Sequence, residues 1–338
     1  MTVPSMNVPG MSVAEGLAAW FADERGETVT IENVSQSSAG ARRRNLLFDA
    51  VGENGVERLV ATVMPTAEIE LSDVGTEAAV RELAADAGVA TPRIRGVCSD
   101  TKYLNGPFFL SERLDGETIP RRVLRLVAKE GNGETVVRQL GTALARLHSV
   151  DAAKAPEKLL RPPDGDAVGS MLTRMREMVN ELLQPEPAFS YGLRWLDDHR
   201  PDEPIRSTIV HGDARNGNLI ISEQGLVGIL DWEGAHIGDP FDDVAWPCTR
   251  MWRFGVDELT VGGLARVGVL RDGYEAGGGV WDEDRFRWWR ALGTLRWGLG
   301  LAGQAAQHLD GRFRSIVMAG SGRRVSELAY DLLLLVRP

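Results

Sequence analysis

The sequence predicts an α+β chain of two unequal lobes. Residues 1–115 form a small lobe of antiparallel sheet with one helix, and residues 116–338 form a larger, mainly helical lobe. Three observations predict it. Strand-like stretches cluster before residue 115 with a single strong helical pattern among them, whereas long helical patterns dominate afterwards. A chain of 338 residues is long for one core, and no linker or internal repeat divides it into independent units. Its 43% hydrophobic and 25% charged residues are those of an ordinary globular protein.

In chain order, Ser12 to Ala22 places Val13, Leu17, Ala18 and Phe21 on one helical face. Strands follow at 29–36 and 45–51, joined by the loop SSAGARRR, in which Ser37, Ser38 and Gly40 can lay amides and hydroxyls over phosphates. Arg42 to Arg44 read first as a solvated charge run, with a phosphate contact as the sharper alternative. RLVATVM at 58–64 is a third strand. TEAAVRELAADAG at 76–88 is a helix whose stripe of Val80, Leu83, Ala84 and Ala87 carries Glu77 on the same side, so that an inward carboxylate needs a partner. FFLSERLDGETIP, from residue 108, is a strand that ends at Gly116.

Beyond it, Val137, Leu140, Leu144 and Leu147 form a helical stripe in which His148 reads as a packed core histidine. The stretch from Pro162 to Pro204 is broken by prolines into two helical pieces. Residues 284–309 form a strong helix with Phe286, Trp289, Leu292 and Trp297, an aromatic set that reads as core.

The most informative segment is IVHGDARNGNLIISEQGLVGILDWEGAHIGDPFDD, from Ile209 to Asp243. Leu219 to Ile221 and Leu226 to Leu230 read as a hairpin around the turn at 222–225, so Asn218 and Asp231 meet at its open end. An amide oxygen beside a carboxylate suits Mg²⁺, which takes its remaining ligands from water and phosphate. Asp213 lies on the loop leading in, where it can accept a proton from an attacking hydroxyl, and His211 reads as a brace for that loop. Protein kinases use the same order: a catalytic aspartate, an asparagine five residues on, then a metal-binding aspartate.

Here the motifs read HGD and DWE, followed by GDP at Gly238 to Pro240 and DD at Asp242 and Asp243. With GVATPRI at 88–94, GPFFLSERLDG at 106–116 and LGTALARLHSVD at 140–151, the chain resembles the aminoglycoside phosphotransferase family of small-molecule kinases over most of its length. The resemblance implies a bilobal protein-kinase-like fold and transfer of the γ-phosphoryl group of ATP or GTP, with Mg²⁺, to a hydroxyl of a small molecule. It implies Asp213 as catalytic base and Asn218 and Asp231 as metal ligands. It places a hinge at about 111–117, where Ser111, Glu112 and Arg113 present backbone to the base. Ser37, Ser38, Gly40 and Glu77 then serve the nucleotide phosphates, and Asp239, Asp242 and Asp243 brace the loop or contact the acceptor. One position departs from the pattern. Thr62 stands where the family has the lysine or arginine that partners the helix glutamate, and Arg58, four residues or about 13 Å away on the same strand face, is too distant to replace it. The expectation is a working kinase in which one of Arg42 to Arg44 supplies the cation, with a nucleotide-binding pseudokinase as the second reading.

Other classes fit less well. A net charge of −10 without a basic face argues against nucleic acid. No apolar run approaches the roughly 20 residues that cross a bilayer, and no basic-then-apolar leader opens the chain, so a cytoplasmic enzyme without a membrane partner is expected. Cys98 and Cys248 are too isolated for a disulfide framework or a zinc site. A protein kinase is disfavoured because GDPFDD follows DWE directly, with no long activation segment.

Overall fold

The computed structural model describes residues 11–36, 43–64, 73–183, 186–201 and 207–337, so Ser37, Ser38, Gly40 and Arg42 lie outside the described residues. Helix α1 (Val13–Trp20) starts at Ser12, whose hydroxyl and the Glu15 carboxylate cap each other's backbone N–H. Its Leu17 and Trp20 press onto a five-stranded antiparallel sheet of β1 (Thr30–Gln36), β2 (Arg44–Gly52), β3 (Gly55–Val63), β4 (Ile94–Cys98) and β5 (Phe108–Glu112), in the order β1-β2-β3-β5-β4. β2 and β3 pair without a break from Arg44 opposite Val63 to Gly52 opposite Gly55. That register sends Leu46, Phe48, Ala50, Leu59, Ala61 and Val63 into the core beneath α1 and leaves Asn45, Val60 and Thr62 on the other face.

No strand is predicted at 94–98, yet β4 closes the sheet there. The alternation that would announce it is broken. Gly96 occupies an inward position because Trp20 fills the space, a Cβ there falling 2.3 Å from the indole, while Val97 stays exposed on the edge. Helix α2 (Val74–Asp86) is capped by Asp73, which accepts from the Gly75 and Thr76 amides at 3.0 Å, and buries Glu77, Val80, Arg81 and Ala84.

The second lobe begins with α3 (Pro120–Glu130) and α4 (Gly133–Ser149), then α5 (Ala167–Leu182) and α6 (Pro187–Asp198). Short strands follow: β6 (Thr208–Val210), β7 (Leu219–Ser222), β8 (Gly225–Ile229) and β9 (His236–Gly238). β7 and β8 form the expected hairpin, and β6 pairs with β9. Helices α7 (Pro240–Ala245), α8 (Val267–Ala276), α9 (Glu283–Leu309), α10 (Ile316–Ser321) and α11 (Val325–Val336) complete the chain. α9 is the central post, lying against α5, α6, α7, α10 and α11. Its Phe286, Trp289 and Leu292 are core, as the aromatic stripe predicts. Among the described residues no helix is long and apolar enough to cross a membrane.

A buried ion pair ties β9 to α7. His236 Nε2 lies 3.4 Å from Asp242, whose carboxylate also takes Arg296 Nη1 at 2.9 Å. Burial works against a charged imidazole, but the hydrogen bond and charge of Asp242 outweigh it, and the His236 pKa lies above the ordinary histidine value. A raised folded-state pKa means that this stabilisation is complete below about 6.5 and is lost as pH rises through the folded value. The wild-type melting temperature is therefore expected to fall more between pH 6.5 and 9 than that of His236→Gln. Parallel curves for the two proteins would show that the pair contributes nothing.

Candidate active site

The loop between β6 and β7 is held from three sides. Gly212 has φ +82, and a Cβ there would sit 2.5 Å from the Gly234 carbonyl; Gly217, at φ +114, makes the second left-handed turn. His211, fully buried, lies against Trp232 with ring centroids 4.5 Å apart. Its burial depresses the pKa despite nearby Asp243 and Asp213, so the ring is neutral. Its contacts assign the tautomer: Nε2–H donates to the Leu230 carbonyl at 3.1 Å, and Nδ1 accepts from the Asp213 N–H at 3.1 Å. One imidazole thereby joins the residue before Asp231 to the backbone of Asp213.

Asp243 supplies the second hold. It is buried and accepts from the His211 N–H at 2.7 Å, the Gly212 N–H at 2.8 Å and His148 Nε2 at 3.2 Å, while His148 Nδ1 meets the Tyr274 hydroxyl at 2.9 Å. Although burial alone would raise it, these donors keep the Asp243 pKa below the usual carboxylate value. Asp239, also buried, caps α7 through the Phe241 amide and pairs with Arg285. All three aspartates after the DWE motif are thus consumed inside the lobe.

The third hold is on the Asp213 side chain itself. Oδ2 accepts from Asn218 Nδ2 at 2.6 Å; Oδ1 accepts from Arg215 Nε at 3.0 Å and from Trp246 Nε1 at 2.6 Å. Because Asn218 spends its amide nitrogen on Asp213, its Oδ1 is the atom that could take a cation. Asp231 follows β8 in a left-handed conformation, φ 66 and ψ 66, which is strained for a residue with a Cβ. The protein around it, and then the Glu233 and Asp213 charges, push its pKa up to about 7, with Arg43 pulling the other way. Asp231 is itself exposed to solvent, which softens the desolvation and leaves carboxylate crowding as the stronger influence. Such crowding asks for a cation. Among the described residues no group of three or more His, Cys, Asp and Glu forms a closed metal cage. A divalent ion held by Asn218 and Asp231 would therefore complete its shell with water and phosphate oxygens, as Mg²⁺ does.

Opposite this floor, Arg43 fills the gap that Thr62 leaves. Arg43 Nη1 lies 2.6 Å from buried Glu77, and its Nε lies 3.0 Å from Glu233 of the DWE motif. Burial alone would weaken its charge, but these carboxylates outweigh that and raise its pKa. Burial also pushes the Glu77 carboxyl up, against the pull of Arg43. Thr62 instead donates to Asn45 Oδ1 across the β2–β3 pair at 2.9 Å, and Arg44 turns away to the Leu104 carbonyl. In the hinge region Ser111 is buried in β5, while the amides of Glu112 and Arg113 are bonded to the carbonyls of Arg93 and Arg58. The Glu112 and Arg113 side chains pair outward with Arg95 and Asp49 and line a cavity of about 750 Å³ on the small lobe, away from the Asp213 loop.

The residue matches of a known family now have a structural counterpart. The family model described as "Phosphotransferase enzyme family" matches residues 34–289. The chain belongs to that family. Its fold is shared with a candidate aminoglycoside phosphotransferase of Ralstonia eutropha (TM-score 0.71, 20% identity, covering 96% of this chain and 98% of the other). It is also shared with a macrolide 2′-phosphotransferase type I (TM-score 0.63, 22% identity, 91% and 95% covered). A third likeness is to an aminoglycoside phosphotransferase solved with AMP-PNP and hygromycin B (TM-score 0.65, 17% identity, 95% and 99% covered). In sequence, the chain is 27% identical over 285 residues to acyl-CoA dehydrogenase family member 10 of Mus musculus, spanning 80% of this chain but 26% of that protein. It is 24% identical over 240 residues to family member 11 of Homo sapiens, spanning 68% of this chain and 30% of that protein. The chain thus spans only about a quarter to a third of these curated relatives.

Three contributors escape sequence reading. Glu233 looks like an ordinary loop acid. Arg215 looks like a solvated loop cation, yet its guanidinium lies 4.1 Å from the Trp252 ring centroid and touches Asp213. Trp246 looks like core. The only sequence signal for the last two is position, two residues after Asp213 and three after Asp243.

Proposed function

We propose that the chain is a Mg²⁺-dependent kinase that moves the γ-phosphoryl group of ATP or GTP to a hydroxyl of a small molecule. The observation that carries this reading is the Asp213–Asn218 hydrogen bond at the open end of the β7–β8 hairpin, beside Asp231. Asp213 orients the acceptor hydroxyl and takes its proton. Asn218 and Asp231 hold the metal, whose chemistry is to neutralise charge on the phosphates. Arg43, positioned by Glu77, faces the phosphates from the small lobe in place of the missing lysine. Since the Glu112 and Arg113 amides are already bonded, a purine edge meets the hinge backbone beyond Arg113. Asp239, Asp242 and Asp243 brace the loop, and residues 1–115 and 116–338 act as nucleotide-binding and catalytic lobes.

The pseudokinase reading loses its motive, because Arg43 supplies the cation that Thr62 lacks. For the acceptor, the similar proteins suggest aminoglycosides, macrolides and, from the acyl-CoA dehydrogenase names, hydroxylated acyl thioesters. The side chains beside Asp213 favour the last class over a polycation: Arg215 and Arg296 lie there on indole rings, and the acids of the GDPFDD run are already paired. The test is nucleotide consumption with each of these three compound classes, with and without EDTA. Acceptor-stimulated, EDTA-sensitive turnover is expected with at least one class. Nucleotide binding without any turnover, with Mg²⁺ present, would return the pseudokinase to first place.

A further inference from the structure

Resting on the assignment of Asp213 as base, we infer that Trp246 is its positioning residue and that Oδ2 is the oxygen receiving the acceptor's proton. A carboxylate offers about four lone-pair sites, two on each oxygen. Oδ1 uses both, one on the Trp246 indole N–H and one on Arg215 Nε, while Oδ2 uses one on Asn218. One site remains, on Oδ2. In the transfer, the acceptor O–H bond breaks and its proton passes to Oδ2. The acceptor oxygen forms its bond to phosphorus as the bond from phosphorus to the bridging oxygen breaks, and the nucleoside diphosphate leaves with that electron pair. The oxygen that acts is therefore chosen by the donors that occupy the other one.

The placement of Trp246 is built into the fold. It lies three residues after Asp243, so the two side chains leave the same face of a helical turn. Asp243 holds the backbone of His211 and Gly212, and Trp246 holds the side chain of Asp213, so α7 and the residue that caps its end set both. The indole is 4% exposed and is fixed from the other side by Arg296, whose guanidinium lies 4.3 Å from the ring centroid and is itself paired with Asp242. Helix α9 leaves room for it at Gly293, where a Cβ would come 3.3 Å from the ring. A cation over an indole face draws electron density from the N–H and makes it a better donor. Asp242, far from any direct contact with Asp213, thereby acts on it through Arg296 and Trp246.

Trp246→Phe keeps an aromatic ring under Arg296 and removes the N–H donor, together with the volume of the second ring. Its kcat is expected to fall roughly ten- to hundredfold, the usual scale for one hydrogen bond to a charged group, with nucleotide KM unchanged. Trp246→His, which retains a ring N–H, is expected to recover part of the loss. In an Asp213→Ala background, Trp246→Phe should lower the residual rate no further, because its effect passes through the missing carboxylate. A wild-type kcat in Trp246→Phe, or a further loss in the Asp213→Ala background, would overturn the inference while leaving the kinase reading intact; full transfer by Asp213→Ala alone would overturn that reading first. If Trp246→Phe does not fold, Trp246→His decides: activity within about tenfold of wild type supports the role of the donor, and any lower rate contradicts it.

Discussion

Asp213→Ala and Asp231→Ala are both expected to lower acceptor phosphorylation by at least about a thousandfold, and to fail in different ways. Removing Asp213 takes away the acceptor's proton site but leaves Asn218 Oδ1, Asp231 and Arg43 in place, so Mg²⁺-nucleotide should bind with near wild-type affinity. Removing Asp231 deletes one of two protein ligands, so nucleotide affinity should lose most of its dependence on Mg²⁺. It also removes one negative charge from the cleft, where burial and then the Glu233 and Asp213 charges push the Asp231 carboxyl up to about 7. Metal-free nucleotide should then bind the variant no worse than the wild type. Calorimetric titrations with and without Mg²⁺ separate the two cases. Mg²⁺-dependent binding that survives intact in Asp231→Ala would remove Asp231 from the metal site.

What could be read from the sequence was local. The β7–β8 hairpin, its turn and the residues at its open end lie within nineteen positions of one another between Asp213 and Asp231, where strand pattern and turn chemistry fix who meets whom. The inward position of Glu77 followed from helical periodicity, and it is 2% exposed. The partner of Glu77 was readable only to within three candidates. Strand parity narrows them: with Leu46, Phe48 and Ala50 facing the core, Arg44 falls on the core side and Arg43 on the cleft side beside Asn45 and Thr62. Glu233 needed the third dimension. It meets Arg43 only because the two lobes close on each other, and no periodicity spans the residues between. Trp246 was hidden for a different reason: a buried indole at the end of a helix serves a core equally well, and only the position of its N–H distinguishes the two uses. β4 was hidden because Gly96 yields its side chain to Trp20, which erases the alternation that marks a strand.

Arg43→Ala is the substitution with the widest expected consequences, because one guanidinium answers three carboxylates. It pairs with Glu77 and Glu233 and pulls on Asp231, and only 11% of its side chain is exposed. Without it, buried Glu77 keeps only the charge of Arg81 nearby and no hydrogen-bonded cation, a loss on the order of 3 kcal/mol in comparable buried pairs, lessened here by Arg81 and as far as Glu77 can take up a proton. The melting temperature should fall accordingly. On protein kept folded at low temperature, nucleotide affinity or kcat should drop by at least about tenfold, or roughly 1.4 kcal/mol, since no other cation on β2 or β3 faces Glu77 among the described residues. Arg43→Lys keeps the charge but cannot reach two carboxylates with a fork, and should lie between. The decisive variant is the double substitution Arg43→Ala with Thr62→Lys. Thr62 lies on the cleft face of β3, bonded to Asn45 on the neighbouring strand, so a lysine there can extend toward Glu77 and the phosphates. Recovery of nucleotide affinity in the double variant, relative to Arg43→Ala, is the expected result. Unchanged affinity in Arg43→Ala would mean that the arginine only ties the lobes together, and the phosphates would then need another cation.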